Sequence, residues 1–153
     1  MKSVCKNSYF EEATNSRISY SPLMSSKEFE HYTARKLSER YHGVKEQVTI
    51  GTRECGTEHI IDVVNEEVKT LVDCKRKIKK GSIDKKLMQE IYDLQYALDN
   101  FTMKYGKWER AVLLVGGHMW DEKFMIWLKE KYVLQFPKIS IVTYEDDVEL
   151  KSV

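Results

Sequence analysis

Residues 57–80 read TEHIIDVVNEEVKTLVDCKRKIKK, and this stretch decides the fold that the sequence predicts. Both flanks of its polar centre, Asn65-Glu66-Glu67, are rich in Ile and Val that alternate with polar residues. This pattern predicts two strands joined by a turn. Side chains two residues apart share one face of a strand. On this alternation, the following residues share a face: on the first strand Glu58, Ile60, Asp62 and Val64, and on the second Leu71, Asp73 and Lys75.

Three charged side chains converge if the two strands pair as an antiparallel hairpin with those faces matched. They are Asp62, Asp73 and Lys75. Two carboxylates and an ammonium on apolar strands are costly to bury unless another group compensates their charge. Mg²⁺ is the natural compensator, because it prefers oxygen ligands and binds through one or two carboxylates plus waters and phosphates.

The remaining elements are predicted from the spacing of apolar residues and from the residues that begin and end helices. Ser25 or Ser26, followed by Glu28, predicts a helix start, and Gly43 predicts its end. Ser82 is the predicted cap of a second helix, whose apolar stripe has helical spacing. The predicted helices cover residues 25–41, 83–105 and 120–132, and the further predicted strands cover 44–50, 110–115 and 139–144. The order α-β-β-β-α-β-α-β predicts an α/β fold with a mixed central sheet flanked by helices.

Length and composition favour one domain. The chain has 153 residues, which suffice for one core but are few for two. Residues 1–24 lack periodicity and are predicted to form an N-terminal arm, either disordered or ordered on a partner, while 25–153 form the domain. The apolar runs are too short to span a membrane, and the N-terminus lacks the apolar core of a signal peptide. We therefore expect a cytoplasmic protein whose three cysteines, Cys5, Cys55 and Cys74, are reduced.

Charge is balanced overall but uneven along the chain. Lys and Arg number 25 against 24 Asp and Glu, for a net charge of +1, which argues against a protein that coats polyanions. Basic residues nevertheless crowd the end of the second strand and the loop after it: Lys75, Arg76, Lys77, Lys79, Lys80, Lys85 and Lys86. A solvated loop would explain the run. Its position beyond the carboxylates favours a rim that attracts phosphates, with Arg76, Lys77, Lys79 and Lys80 as the predicted DNA contacts.

The pattern resembles the PD-(D/E)XK nuclease superfamily, which includes type II restriction endonucleases. The resemblance rests on Phe29-Glu30 on a helix, Gly56, Ile61-Asp62, Val72-Asp73-Cys74-Lys75 on a strand and Gln89 on the next helix. It covers roughly residues 26–115 and implies the αβββαβ core of those enzymes. Ile61 stands where many members have proline, and Asp93 stands where the RecB-like branch has a tyrosine after Gln89.

The resemblance implies a role for each matching residue. Asp62 and Asp73 would be the acidic metal ligands, with the backbone carbonyl of Cys74 as a third. Lys75 would orient or activate the attacking water. Glu30 would help to hold the metal or its waters, and Gln89 would be the glutamine that some members place on the helix after the lysine.

The expected activity is Mg²⁺-dependent hydrolysis of DNA by one or two ions, with Mn²⁺ able to substitute. A restriction-type enzyme is the leading expectation. The near-neutral net charge favours an enzyme that recognises a specific DNA sequence, because resolvases usually depend on a broadly basic face. One active site per chain then suggests a homodimer, or a higher homo-oligomer, on a palindromic or near-palindromic site. The alternatives are a Holliday-junction resolvase, a homing or phage nuclease, or a non-catalytic α/β interaction module.

Overall fold

The computed structural model describes residues 21, 23–79, 81 and 83–153. Most of the predicted N-terminal arm, together with Lys80 and the predicted cap Ser82, lies outside the described residues. In the part of the chain that the structure describes, no helix is both long and apolar enough to cross a bilayer.

Helix α1, Ser26–Ser38, begins at the predicted cap. The backbone N–H of Glu28 donates to Ser25 Oγ at 3.1 Å, and the Ser25 N–H donates to Glu28 Oε1 at 2.6 Å. This capping box satisfies two amides that the first turn of a helix leaves unpaired. The helix ends three residues earlier than predicted, and turn residues follow it.

One five-stranded sheet forms the centre of the fold. Its strands are β1 (Val44–Thr52), β2 (Glu58–Asn65), β3 (Thr70–Lys77), β4 (Arg110–Gly117) and β5 (Ile139–Thr143). They lie in that order across the sheet. The first three are antiparallel neighbours, whereas β4 is parallel to β3 and β5 is parallel to β4. The predicted hairpin and the predicted mixed α/β sheet are confirmed.

The second predicted helix, 83–105, is wrong at both ends. A 3₁₀ turn, Ile83–Lys85, precedes α2, Lys86–Asn100. The N-cap is Lys85, and its side chain makes no capping hydrogen bond. Phe101 is extended, and a short hairpin follows, Thr102–Met103 with Gly106–Lys107. Helix α3 is Glu122–Glu130, and a 3₁₀ turn at Tyr132–Gln135 replaces its predicted last residues.

Two apolar cores lie on opposite faces of the sheet. The larger core packs α2 and α3 against Leu71, Leu113 and Val115. The predicted stripe of α2 is confirmed within it: Leu87, Ile91, Leu94, Ala97 and Leu98 are buried. The smaller core packs α1 and the C-terminus against the other face. Met24, predicted to be part of the arm, is buried in this smaller core. The sheet therefore carries α1 on one side and α2 with α3 on the other.

Candidate metal centre

The candidate site lies where β2 and β3 separate. These strands pair over only three residue pairs, from Val63–Val72 to Asn65–Thr70. Asp62 and Asp73 come one step beyond the last pair. There the backbone N–H of Cys74 donates to Asp62 Oδ2 at 2.9 Å. Each carboxylate thus lies at the point where its strand leaves the ladder.

Strict alternation along β2 was a wrong prediction. Ile61 and Val64 both pack in the larger core, while Val63 packs in the smaller one on the opposite face. Ile60, predicted to share the face of Val64, is 48% exposed. The alternation shifts at Asp62 because β2 leaves β3 there. The predicted meeting of Asp62 with Asp73 nevertheless occurs.

Negative charge accumulates in this gap. Asp73 is only 7% exposed, and its pKa is raised well above 3.8 by burial and by the neighbouring Asp62 and Glu90. Burial also raises the pKa of Asp62, although the Cys74 N–H and the Lys75 ammonium oppose that shift. Burial disfavours a charged carboxylate, and a second carboxylate nearby disfavours it further. A bound cation would relieve both effects.

Lys75 is the ammonium of the site. Burial acts to lower its pKa, but the carboxylates of Glu90, Asp73 and Asp62 outweigh burial, and the net pKa of Lys75 is raised. Its Nζ lies 3.6 Å from Glu90 Oε2. Lys75 therefore keeps its charge beside the two aspartates, as the sequence predicted.

Glu90 on α2 is the residue that the sequence analysis missed. It contacts both Lys75 and Asp73, whereas Gln89, which the resemblance selected, is exposed and donates to Asp93 Oδ1 at 3.2 Å. Gln89 therefore does not join the carboxylates. A signal was present: Glu90 lies three residues after Leu87 and four before Leu94, within the buried stripe of the helix.

Glu30 approaches from α1, with Gln47 of β1 beside it. Gln47 Nε2 donates to Glu30 Oε1 at 2.5 Å, and the Gln47 side chain also hydrogen-bonds Asp62. Burial and the charge of Asp62 raise the pKa of Glu30. Gln47 has φ of +51°, and the β1–β2 ladder passes from Glu46–Val63 to Val48–Ile61 without pairing it. A non-glycine residue with positive φ is strained, and such strain concentrates at functional sites.

The donor chemistry suits a hard divalent cation, but the ligands are not arranged as a finished site. Asp62 and Asp73 offer the carboxylate oxygens that Mg²⁺ prefers. Among the described residues, however, no group of three or more His, Cys, Asp or Glu side chains is arranged to hold a metal ion. Glu30 is engaged by Gln47, and Glu90 by Lys75. A metal ion bound by Glu30 or Glu90 in addition to the aspartates would thus require those two side chains to exchange partners. The backbone-carbonyl role of Cys74 stays a prediction.

The predicted basic rim is smaller than expected. Lys77 is only 6% exposed and forms a buried ion pair with Asp84. Arg76 is 9% exposed, and its guanidinium lies 5.6 Å from the centre of the Phe29 ring. The prediction of both as exposed DNA contacts needs correction, because tertiary packing covers them. Lys79 is exposed, and Lys80 lies outside the described residues.

No protein-family model matches this chain, and no curated protein matches it. A function for the chain is therefore inferred from the chemistry of the site.

Proposed function

We propose that the chain is a Mg²⁺-dependent endonuclease of PD-(D/E)XK type that hydrolyses phosphodiester bonds in DNA. One observation carries the proposal: Asp62, Asp73 and Lys75 meet where two strands separate, with Glu90 and Glu30 beside them on helices. Buried aspartates with raised pKa values lower the stability of a fold at neutral pH. Such a cluster is explained if it serves chemistry.

The residues of the site have distinct roles in this proposal. Asp62 and Asp73 are the metal ligands, and Lys75 stabilises negative charge that develops on the scissile phosphate. Glu90 holds the Lys75 ammonium in place, and Gln47 holds the Glu30 carboxylate. When bound, Mg²⁺ lowers the pKa of a coordinated water and neutralises the phosphate.

Cleavage of DNA by the full-length chain tests the proposal. Supercoiled plasmid, linear duplex and a four-way junction are incubated with Mg²⁺, with Mn²⁺ and with EDTA. We expect cleavage with either metal, none with EDTA, and none by Asp73→Asn. Asp99→Asn is the matched control, since Asp99 is exposed on the outer part of α2. Discrete duplex fragments support a restriction-type enzyme, and cutting confined to the junction supports a resolvase.

A metal titration tests the ligands without catalysis. A ligand that binds only the folded state stabilises it by about 2.7 kcal/mol at a hundredfold excess over Kd. We therefore expect Mg²⁺ or Mn²⁺ to raise the Tm of the parent and of Asp99→Asn but not that of Asp73→Asn. An inactive parent on every DNA would instead favour a non-catalytic α/β module, and cleavage by Asp73→Asn would overturn the assignment of the site.

A further inference from the structure

A separate pocket opens beyond the C-terminal ends of β3 and β4, where α3 begins. Its volume is about 570 Å³, within the range of about 300–1,000 Å³ typical of sites for small organic groups. The residues that line it include Lys77, Lys85, His118, Met119, Trp120 and Phe124. The proposed hydrolysis uses none of them.

The floor of the pocket is fixed by buried polar contacts. Lys77 pairs with Asp84, and the second Asp84 oxygen accepts the backbone N–H of Asp121 at 2.9 Å. Trp120 Nε1 donates to the Gly116 carbonyl oxygen at 2.7 Å, and Lys77 Nζ lies 5.6 Å from the centre of its ring. The indole is therefore held in one place, and its polar atom is already satisfied. What it offers a ligand is aromatic surface.

The mouth of the pocket is basic. Lys85 and His118 are exposed lining residues, and the exposed Lys79 and Lys86 are close to them in sequence. Of the two lining carboxylates, Asp84 is neutralised by Lys77, which leaves the exposed Asp121. Among the exposed residues that line the pocket or lie within two positions of a lining residue, four lysines outnumber two carboxylates, which favours an anionic ligand: Lys79, Lys85, Lys86 and Lys123 against Asp121 and Glu122.

We propose that this pocket takes the base of an unpaired nucleotide in the nucleic acid that the chain cleaves, an inference that rests on the proposed function. Aromatic rings next to basic side chains are the means by which proteins bind unpaired bases and their phosphates. Lys75 and Lys77 project from the same face of β3, and Lys77 lies four residues, or about 13 Å, from Asp73. A nucleic-acid strand whose phosphate lies at Asp73 therefore reaches the pocket with a nearby nucleotide. The preferred substrate is then single-stranded or branched rather than fully paired.

Binding without cleavage tests this inference. Fluorescence anisotropy in EDTA compares a labelled oligothymidine with a blunt hairpin duplex. Stacking on one aromatic side chain contributes about 1–3 kcal/mol per base, or about 5- to 150-fold in affinity. We expect the parent to prefer the single strand, and Trp120→Leu and Phe124→Leu to weaken single-strand binding by about tenfold or more. Duplex binding should stay unchanged in both.

Two further variants serve as controls. Tyr105 is 82% exposed in the hairpin after α2 and does not line the pocket, and Tyr105→Leu should bind like the parent. Lys85→Gln tests the mouth without touching the aromatic residues, and should lower the salt dependence of single-strand binding. Thermal unfolding of every variant identifies a loss that comes from misfolding.

The outcomes separate this inference from the proposed function. A parent that binds both oligonucleotides equally, or a single-strand affinity unchanged in Trp120→Leu and Phe124→Leu, overturns the pocket assignment even if the chain cleaves DNA. Displacement of the oligothymidine by an equimolar polyglutamate peptide would overturn it in favour of an acidic protein segment. Selective single-strand binding that the pocket variants lose supports it, even if the parent cleaves nothing.

Discussion

The buried Lys77–Asp84 pair makes a quantitative prediction about stability. The two side chains are 5% and 10% exposed, respectively, and Asp84 also accepts the Asp121 N–H. Asp84→Ala leaves the ammonium buried without its partner. Breaking a buried pair in this way costs about 3–5 kcal/mol, to which the lost N–H bond contributes about 1 kcal/mol. We expect the free energy of unfolding to fall by about 3–5 kcal/mol in total, including the lost N–H bond.

Urea unfolding followed by far-UV circular dichroism measures this loss. Asp99→Ala removes an exposed carboxylate from α2 and should change stability by no more than about 0.5 kcal/mol. In the double variant Lys77→Met with Asp84→Ala, neither charge of the pair remains, and most of the loss should be recovered. The two side chains are in contact, so their effects should not add.

The same pair predicts a pH dependence. Burial acts to raise the pKa of Asp84, but the hydrogen bonds from Lys77 and from the Asp121 backbone outweigh it, and the net pKa is lowered. A carboxyl with a lowered pKa in the folded state adds stability above its ordinary pKa of 3.8 and loses it as the pH falls further. The difference between the parent and Asp84→Ala should therefore shrink below pH 3.8.

A different result would restore Lys77 as an exposed phosphate contact. In that case Asp84→Ala would cost less than about 1 kcal/mol, like other surface substitutions. Lys77→Met would then lower the salt slope of DNA binding by about one.

Three further predictions concern the sheet and the candidate site. Gly117 has φ of +102°, and a Cβ there would clash with the backbone carbonyl oxygen of Lys77 in β3. Gly117→Ala should therefore lower the free energy of unfolding by about 2 kcal/mol or more in chemical denaturation. Gly81→Ala should not, because a Cβ at Gly81 meets no atom of the described residues within 4 Å. Gln47→Ala should lower Mg²⁺-dependent cleavage by about 10- to 100-fold, as loss of a group that orients metal ligands does. Gln47→Gly should cleave as slowly as Gln47→Ala but should be more stable than that variant, because glycine adopts positive φ freely. Glu90→Ala should lower the cleavage rate by about tenfold or more, the loss expected for a supporting group, while Gln89→Ala stays near the parent; the reverse order would refute our assignment of the helix face.

Periodicity located the strands of the sheet, but it did not give every side-chain face of β2 or the end of α2. The hairpin, the parallel strands and the buried stripe follow from local patterns of Ile, Val and Leu. Phe101 continues the spacing of that stripe, so the pattern cannot show that the helix stops before it. In the folded chain Phe101 instead packs against His59 and Tyr96. This contact depends on the strand arrangement.

The strand residues of the candidate site were predicted from the sequence, whereas the residue that α2 contributes was not. Asp62, Asp73 and Lys75 were found because alternation and one turn bring them together. Gln89 was selected and Glu90 was missed because the resemblance fixes only the spacing of residues along the chain, whereas tertiary contacts set the face of α2 that packs on the sheet. Lys77 was misjudged for the same reason: the carboxylate that covers it lies on the 3₁₀ turn that precedes α2.

The short pairing between β2 and β3 has a mechanical consequence. β2 is paired with β1 along most of its length but with β3 over only three residues. The outer two strands are therefore held to β3 by backbone pairs at Val63–Asn65 and, just beyond them, by the Cys74 N–H bond to Asp62. A cation bound to the carboxylates of both Asp62 and Asp73 would add a connection across this gap, whereas electrostatic repulsion between the two charged groups would weaken the connection that exists.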